Sequence, residues 1–254
     1  FKVIFYWEYF HRLLGRLIGI FFLIPLIYFS YKKIFTQKTL KVFYFVFLLI
    51  LLQGLIGWYM VQSGLVNDIT VSHYRLSLHL FGAFLIISIL FWQYLNLKNL
   101  TIKLFFNKEN LILKLLFLMI LIQICLGAFV SGLDAGLIYQ TWPKMNSSFF
   151  PDDIILKNYN LLSIFNDQSF VQFFHRVFAY IISFYVLYIG VKLYIIEKKK
   201  YLSSYIFILV ILFLQVVLGI LTLISGLSLY LASLHQITSV ILVFTVLNIN
   251  HKFA

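Results

Sequence analysis

The chain has 254 residues, 63% of them hydrophobic and 11% charged, and a formal net charge of +12. A soluble domain carries roughly 25% charged residues, so this composition excludes one and indicates an integral membrane protein. The positive charge does not indicate nucleic acid, because its lysines collect in short segments between apolar runs.

Seven such runs, near 9–30, 41–62, 74–95, 111–132, 170–192, 201–225 and 228–249, are each long enough to cross about 30 Å of hydrocarbon as a helix. None alternates with the period of two that a membrane barrel requires. The expected fold class is an all-α polytopic membrane protein with seven transmembrane helices. If each run crosses once, Lys32, Lys33, Lys38, Lys41, Lys98, Lys103, Lys108, Lys114, Lys192, Lys198, Lys199, Lys200 and Lys252 share one face. The positive-inside rule makes that face cytoplasmic, or the matrix side in a mitochondrion. The opposite face carries Glu8, Asp68, Asp134, Asp152, Asp153 and Asp167 and every arginine: Arg12, Arg16, Arg75 and Arg176. Orientation alone does not select arginine over lysine; arginine suits bidentate recognition of carboxylate or phosphate, or anchoring of helix ends at headgroups.

The first run opens with Trp7-Glu8-Tyr9-Phe10-His11-Arg12, and Phe173-Phe174-His175-Arg176 repeats it in shortened form. The second run holds Gln53-Gly54-Leu55-Ile56-Gly57 and leads to Ser63-Gly64-Leu65; the sixth holds Gln215-Val216-Val217-Leu218-Gly219 and leads to Ser225-Gly226-Leu227. The third run carries Leu78-His79 and the seventh Leu234-His235. This register predicts a duplicated four-helix unit whose copies share one orientation, with a first helix preceding Phe1. Residues 1–95 would then form an incomplete N-terminal bundle and 96–110 a cytoplasmic-side linker. Residues 111–254 would form a C-terminal four-helix bundle with a long outer loop, 133–169.

The fourth run ends in Gln123-Ile124-Cys125-Leu126-Gly127 and Ser131-Gly132. Glycine and serine at these spacings read as close helix contacts, and Cys125, the one cysteine, reads as a small core residue. Loop 133–169 contains Trp142-Pro143 and Phe150-Pro151-Asp152-Asp153, and its length favours a functional role. His73 and His251 read as solvated or interfacial, and Trp7, Tyr9, Trp58, Tyr59 and Tyr74 as aromatic belt residues.

His11, His79, His175 and His235 all fall at outer helix ends. A lone intramembrane histidine is ordinarily hydrogen-bonded to a neighbouring helix; four, paired by a duplication, suggest ligands. Two imidazoles meeting at equal depth inside an apolar bundle suit the axial positions of a haem iron, whereas zinc would need further protein ligands. Arg12 and Arg176, each directly after a histidine, and Arg75, one turn before His79, are placed to pair with haem propionates. The halves differ at one position: Glu8 stands three residues before His11, and Gln172 three before His175. Glu8 is either a carboxylate beside the first site or an ion-pair partner of Arg12.

These segments, together with Tyr74-Arg75-Leu76-Ser77-Leu78-His79-Leu80, Gly132-Leu133-Asp134-Ala135-Gly136 and Thr141-Trp142-Pro143-Lys144-Met145, resemble haem A synthase. That membrane enzyme oxidises the C8 methyl of haem O to the formyl of haem A. The resemblance implies that His11 and His79 bracket the substrate haem, that His175 and His235 ligate a haem b cofactor, and that Glu8 is the carboxylate at the reaction centre. It further implies haem O and haem A as ligands in membrane lipid, an unidentified electron acceptor, and haem O synthase and cytochrome oxidase assembly factors as partners. The location implied is the bacterial cytoplasmic membrane with the haem sites toward the periplasm, or the mitochondrial inner membrane. Two other classes fit the histidines themselves: a di-haem b-type cytochrome that only passes electrons, and a transporter using them as a relay.

Overall fold

The computed structural model describes residues 3–64, 71–105, 110–151, 163–195 and 201–254. Asp68, Lys108, Asp152, Asp153, Lys198, Lys199 and Lys200 lie outside the described residues. The described chain forms seven long helices: α1 (Val3–Tyr31), α2 (Gln37–Gly64), α3 (His73–Lys98), α4 (Leu111–Gly132), α5 (Gln168–Ile195), α6 (Leu202–Ile224) and α7 (Leu229–Phe253). All seven contain a stretch long and apolar enough to cross a membrane. Two short 3-10 turns, Ala135–Leu137 and Ile164–Asn166, lie in the connection from α4 to α5.

Two helices, α2 and α5, start earlier than their apolar runs, and a polar residue caps each. Thr36 precedes α2, and its hydroxyl accepts from the Thr39 backbone N–H at 3.3 Å. Asp167 precedes α5 and accepts from Phe170 N–H at 3.0 Å. Each cap satisfies one of the amides a helix start leaves open. The turn from α6 to α7 closes with Gly226 at φ +68, while Leu227 N–H bonds Thr222 O and Gly226 N–H bonds Leu223 O. That is the paired arrangement that ends helices on a left-handed glycine.

Helices pack as neighbours in sequence, with additional contacts of α3 and α4 against α7. The main apolar core joins Phe84 and Trp92 of α3 to Leu116, Ile120, Ile182, Val186, Ile208, Val243 and Val246 of the later helices. Thus α3 is seated in the core of the C-terminal helices, whereas α1 and α2 contribute few buried side chains, among them Leu26, Leu40 and Val46. Trp7, Tyr9, Trp58, Tyr59 and Tyr74 are exposed, as belt residues facing headgroups would be.

Two histidines depart from their sequence reading. His251 is buried: its Nε2 lies 2.9 Å from Asn96 Oδ1, and its ring meets Trp92 edge-on. Around it, Trp92 Nε1 donates to Lys103 O at 2.9 Å, Lys103 N donates to Asn96 Oδ1 at 3.1 Å, and Lys103 Nζ donates to His251 O at 2.8 Å. This polar knot ties α3, the segment after it and the end of α7 together. His73 is buried at the opposite end, where α3 begins; its ring meets Phe129 of α4 edge-on. Both were misread for one reason: the helices continue past their apolar runs and pack, so a residue at a run's edge is still inside.

Candidate functional site

The four outer histidines stand on α1, α3, α5 and α7. His79, His175 and His235 lie six or seven residues from the starts of their helices, which places them about 9–11 Å along the axis from the outer ends. His11 and His79 face each other with ring centroids 6.4 Å apart and planes at 65°. Two imidazoles bound to one metal, each nitrogen about 2.0 Å away and each ring centre about 1.1 Å farther, would have centroids about 6.2 Å apart. The observed separation fits that spacing. His175 and His235 are electrostatic neighbours in the second half. Among the described residues, no three of His, Cys, Asp and Glu gather to hold a metal ion by protein ligands alone. The donor set therefore suits a metal whose equatorial ligands come from a porphyrin.

Glu8 and Arg12 are one turn apart on α1 and form an ion pair, Arg12 NH2 to Glu8 Oε2 at 2.9 Å, with both side chains about half exposed. Arg75 lies over the Tyr59 ring of α2, 5.0 Å from its centroid; this contact fixes the guanidinium near the outer end of α3.

On α5 the corresponding pair behaves otherwise. Gln172 is buried and its amide donates to Tyr139 O at 2.9 Å. Arg176 donates to Tyr139 O at 2.8 Å, Thr141 O at 2.9 Å and Lys144 O at 3.4 Å. Gln168, one turn earlier, donates to Leu133 O. Gln168, Gln172 and Arg176 thus form one stripe of donors at helical spacing, each bound to backbone carbonyls of the loop after α4. The loop also binds itself, with Thr141 Oγ1 donating to Lys144 O and accepting from Asn146 N, both at 2.9 Å.

The glycines expected to make helix contacts do something more specific. A Cβ built on Gly57 would lie 3.0 Å from His79 Cε1, one on Gly127 3.2 Å from His175 Cε1, and one on Gly219 3.0 Å from His235 Cε1. Each imidazole therefore rests on the backbone of the preceding helix. Gln53, Gln123 and Gln215, one turn before those glycines, donate to the carbonyl oxygens of His79, His175 and His235 at 2.6, 3.0 and 2.9 Å. In the sequence Gln53 and Gln215 align the repeat and Gln123 has no assigned role; the signal that marks all three is Gln-x-x-x-Gly on one helix with histidine on the next.

The chemistry of the C-terminal cluster also fits a bound polar group. Of the seven buried side-chain atoms without a partner among the described residues, four are Gln123 Oε1, Gln172 Oε1, Arg176 Nε and His235 Nδ1. Buried polar atoms are ordinarily satisfied, and these four belong to residues at or beside the second histidine pair.

Comparison with known proteins adds a family. The profile of the COX15-CtaA family, described as cytochrome oxidase assembly protein, matches residues 1–247. A protein of Pelagibacter ubique (strain HTCC1062) named heme A synthase is 46% identical over 258 residues, covering 99% of this chain and 74% of that protein. Proteins with the same name from Ehrlichia canis (strain Jake) and Flavobacterium psychrophilum are 41% and 37% identical, covering 95% and 100% of this chain and 69% and 76% of theirs.

Proposed function

We propose that this chain, which belongs to the COX15-CtaA family of cytochrome oxidase assembly proteins, is a haem A synthase: an oxidoreductase that converts the C8 methyl of haem O to the formyl of haem A in a bacterial membrane. The observation that carries the site assignment is the separation of His11 and His79 on α1 and α3, 6.4 Å between ring centroids. In this reading those two rings hold the substrate haem, and His175 and His235 hold haem b. Both pockets open toward the periplasmic side, since the lysine-rich segments mark the opposite face.

Haem b, held by His175 and His235, would supply a one-electron redox centre. The remaining work falls to side chains. Glu8, three residues before His11, is the group at the first site able to accept a proton as the methyl carbon loses hydrogen. Its pairing with Arg12 orients the carboxylate. Arg12 and Arg75 offer cationic partners for propionates at the outer edge. In the second pocket, Gln172 replaces the carboxylate with an amide, and no proton acceptor stands at that position. Its amide and Arg176 bind the outer loop beside His175, which favours a retained cofactor over an exchanging substrate.

The test is haem extraction from cells that make haem O and express the protein. Haem A is the expected product, with one haem b remaining in the purified protein. Two permanent b haems with no haem A would instead identify an electron-transfer cytochrome.

A further inference from the structure

One contact occurs three times, on three different helix pairs. On α2, α4 and α6 a glutamine is followed four residues later by glycine, and the helix that comes next carries the histidine. Residues four apart share a helix face, so each glutamine and glycine meet their histidine together. The glycine removes the atom that would press on Cε1. The glutamine amide adds a donor to the histidine carbonyl beyond its helical one; at His235 the Thr238 hydroxyl lies at the same oxygen, 3.1 Å away. Helix packing in membranes explains small residues at contacts, but not an amide aimed each time at the carbonyl of the histidine six or seven residues into the facing helix.

Neighbouring residues are arranged around the glutamines. At His79, Gly82 lies one turn further on, where a Cβ would collide with Gln53 Oε1. At His235, the same position is Thr238, whose hydroxyl donates to Gln215 Oε1. The three amides are not equivalent at the ring. Gln53 Nε2 lies 3.1 Å from His79 Nδ1, and Gln123 Nε2 lies 3.2 Å from His175 Nδ1 and 3.4 Å from its Nε2, whereas His235 Nδ1 is buried without a partner among the described residues.

We propose that Gln53 with Gly57, Gln123 with Gly127, and Gln215 with Gly219 are positioning residues for the haem ligands. The glycine sets how deep the imidazole sits, and the glutamine fixes the height of the histidine relative to the facing helix. At His79 and His175 it also fixes the ring plane. The inference rests on the reading of these histidines as axial ligands. It adds that the two ligands of the second pocket are held unequally: the Gln123 amide lies against the His175 ring, and among the described residues no partner lies at His235 Nδ1, so that Gln123 constrains the orientation of its ligand more than Gln215 does.

The experiment uses the purified, haem-loaded protein and four forms: unmodified, Gln123→Met, Gln215→Met and Gly219→Ala. Methionine keeps much of the side-chain length and removes the amide. The readouts are the low-spin haem EPR g-values, the haem midpoint potential, the rate of haem loss to a scavenging apoprotein, and thermal melting. Gln123→Met is expected to move the g-values and the potential and to release haem b roughly 10-fold faster or more. Gln215→Met should speed haem loss with a smaller change in g-values. Gly219→Ala should displace the His235 ring and convert part of the haem to the high-spin form. If g-values, potential and release are unchanged in all variants and only melting moves, the contacts are packing and the proposal is overturned. If Gly219→Ala does not accumulate, Gln123→Met decides by the same readouts. An unmodified protein with haem but no low-spin bis-histidine signal would overturn the ligand reading itself, a result distinct from unaltered spectra in the variants.

Discussion

Two helices carry nearly the same outer motif and use it differently. On α1, Glu8 and Arg12 satisfy each other, and both remain half exposed. On α5, Gln172 and Arg176 occupy the same spacing, yet both turn to the carbonyl of Tyr139, and the loop after α4 is drawn over them. The exchange of carboxylate for amide matches the difference in the arginine's partner. A carboxylate accepts, and so captures the arginine one turn away; an amide donates, and so leaves the arginine free to bind carbonyls. The comparison teaches that two copies of one histidine-arginine motif are set apart by the residue three positions before the histidine, with the histidines themselves unchanged.

The largest expected effects separate the halves outright. Replacing His79 by alanine should abolish haem A formation while the haem b spectrum persists; replacing His235 by alanine should remove that spectrum and the product together. Optical spectra and extracted haems check both. Equal loss of both haems in each variant would erase the division of roles.

A smaller effect is expected when the α5 position is made to resemble α1. Gln172→Glu places an acceptor against Tyr139 O and pulls Arg176 toward a carboxylate, so the loop over 133–144 loses donors. Leaving buried polar groups unpaired costs about 1–3 kcal/mol, and amides of that loop should exchange with deuterium faster while those of α3 are unaffected. Next, Asn96→Leu removes the acceptor shared by Lys103 N and His251 in the polar knot at the other end of the molecule. Melting should fall by a destabilisation of about 1–3 kcal/mol, with both haem spectra retained. The smallest change is Arg75→Leu, which removes the cation from the Tyr59 ring, a contact of about 0.5–1 kcal/mol. Stability should scarcely move, and weakened retention of haem O would mark the propionate role.

Much of this organisation was legible in the residues, and what was not has identifiable physical causes. The seven spans, the outer histidines and the contrast of Glu8 with Gln172 are local patterns, and sequence carries local patterns well. The glutamine and glycine pairs were visible, but their use was not, because the face of α4 that meets His175 depends on how α4 and α5 pack. Binding of the loop by Gln168, Gln172 and Arg176 was hidden for a different reason: its acceptors are backbone carbonyls, which every residue has. His73 and His251 were misplaced because a run of apolar residues ends before the helix does.

The central claim is that Glu8 makes the first site reactive. Its most direct measurement is the haem content of cells making haem O and expressing the Glu8→Gln protein, a change that gives α1 the amide found on α5. The account predicts that haem O accumulates or an incompletely oxidised haem appears, haem A is lost, and the haem b spectrum is retained. Unchanged haem A would contradict it.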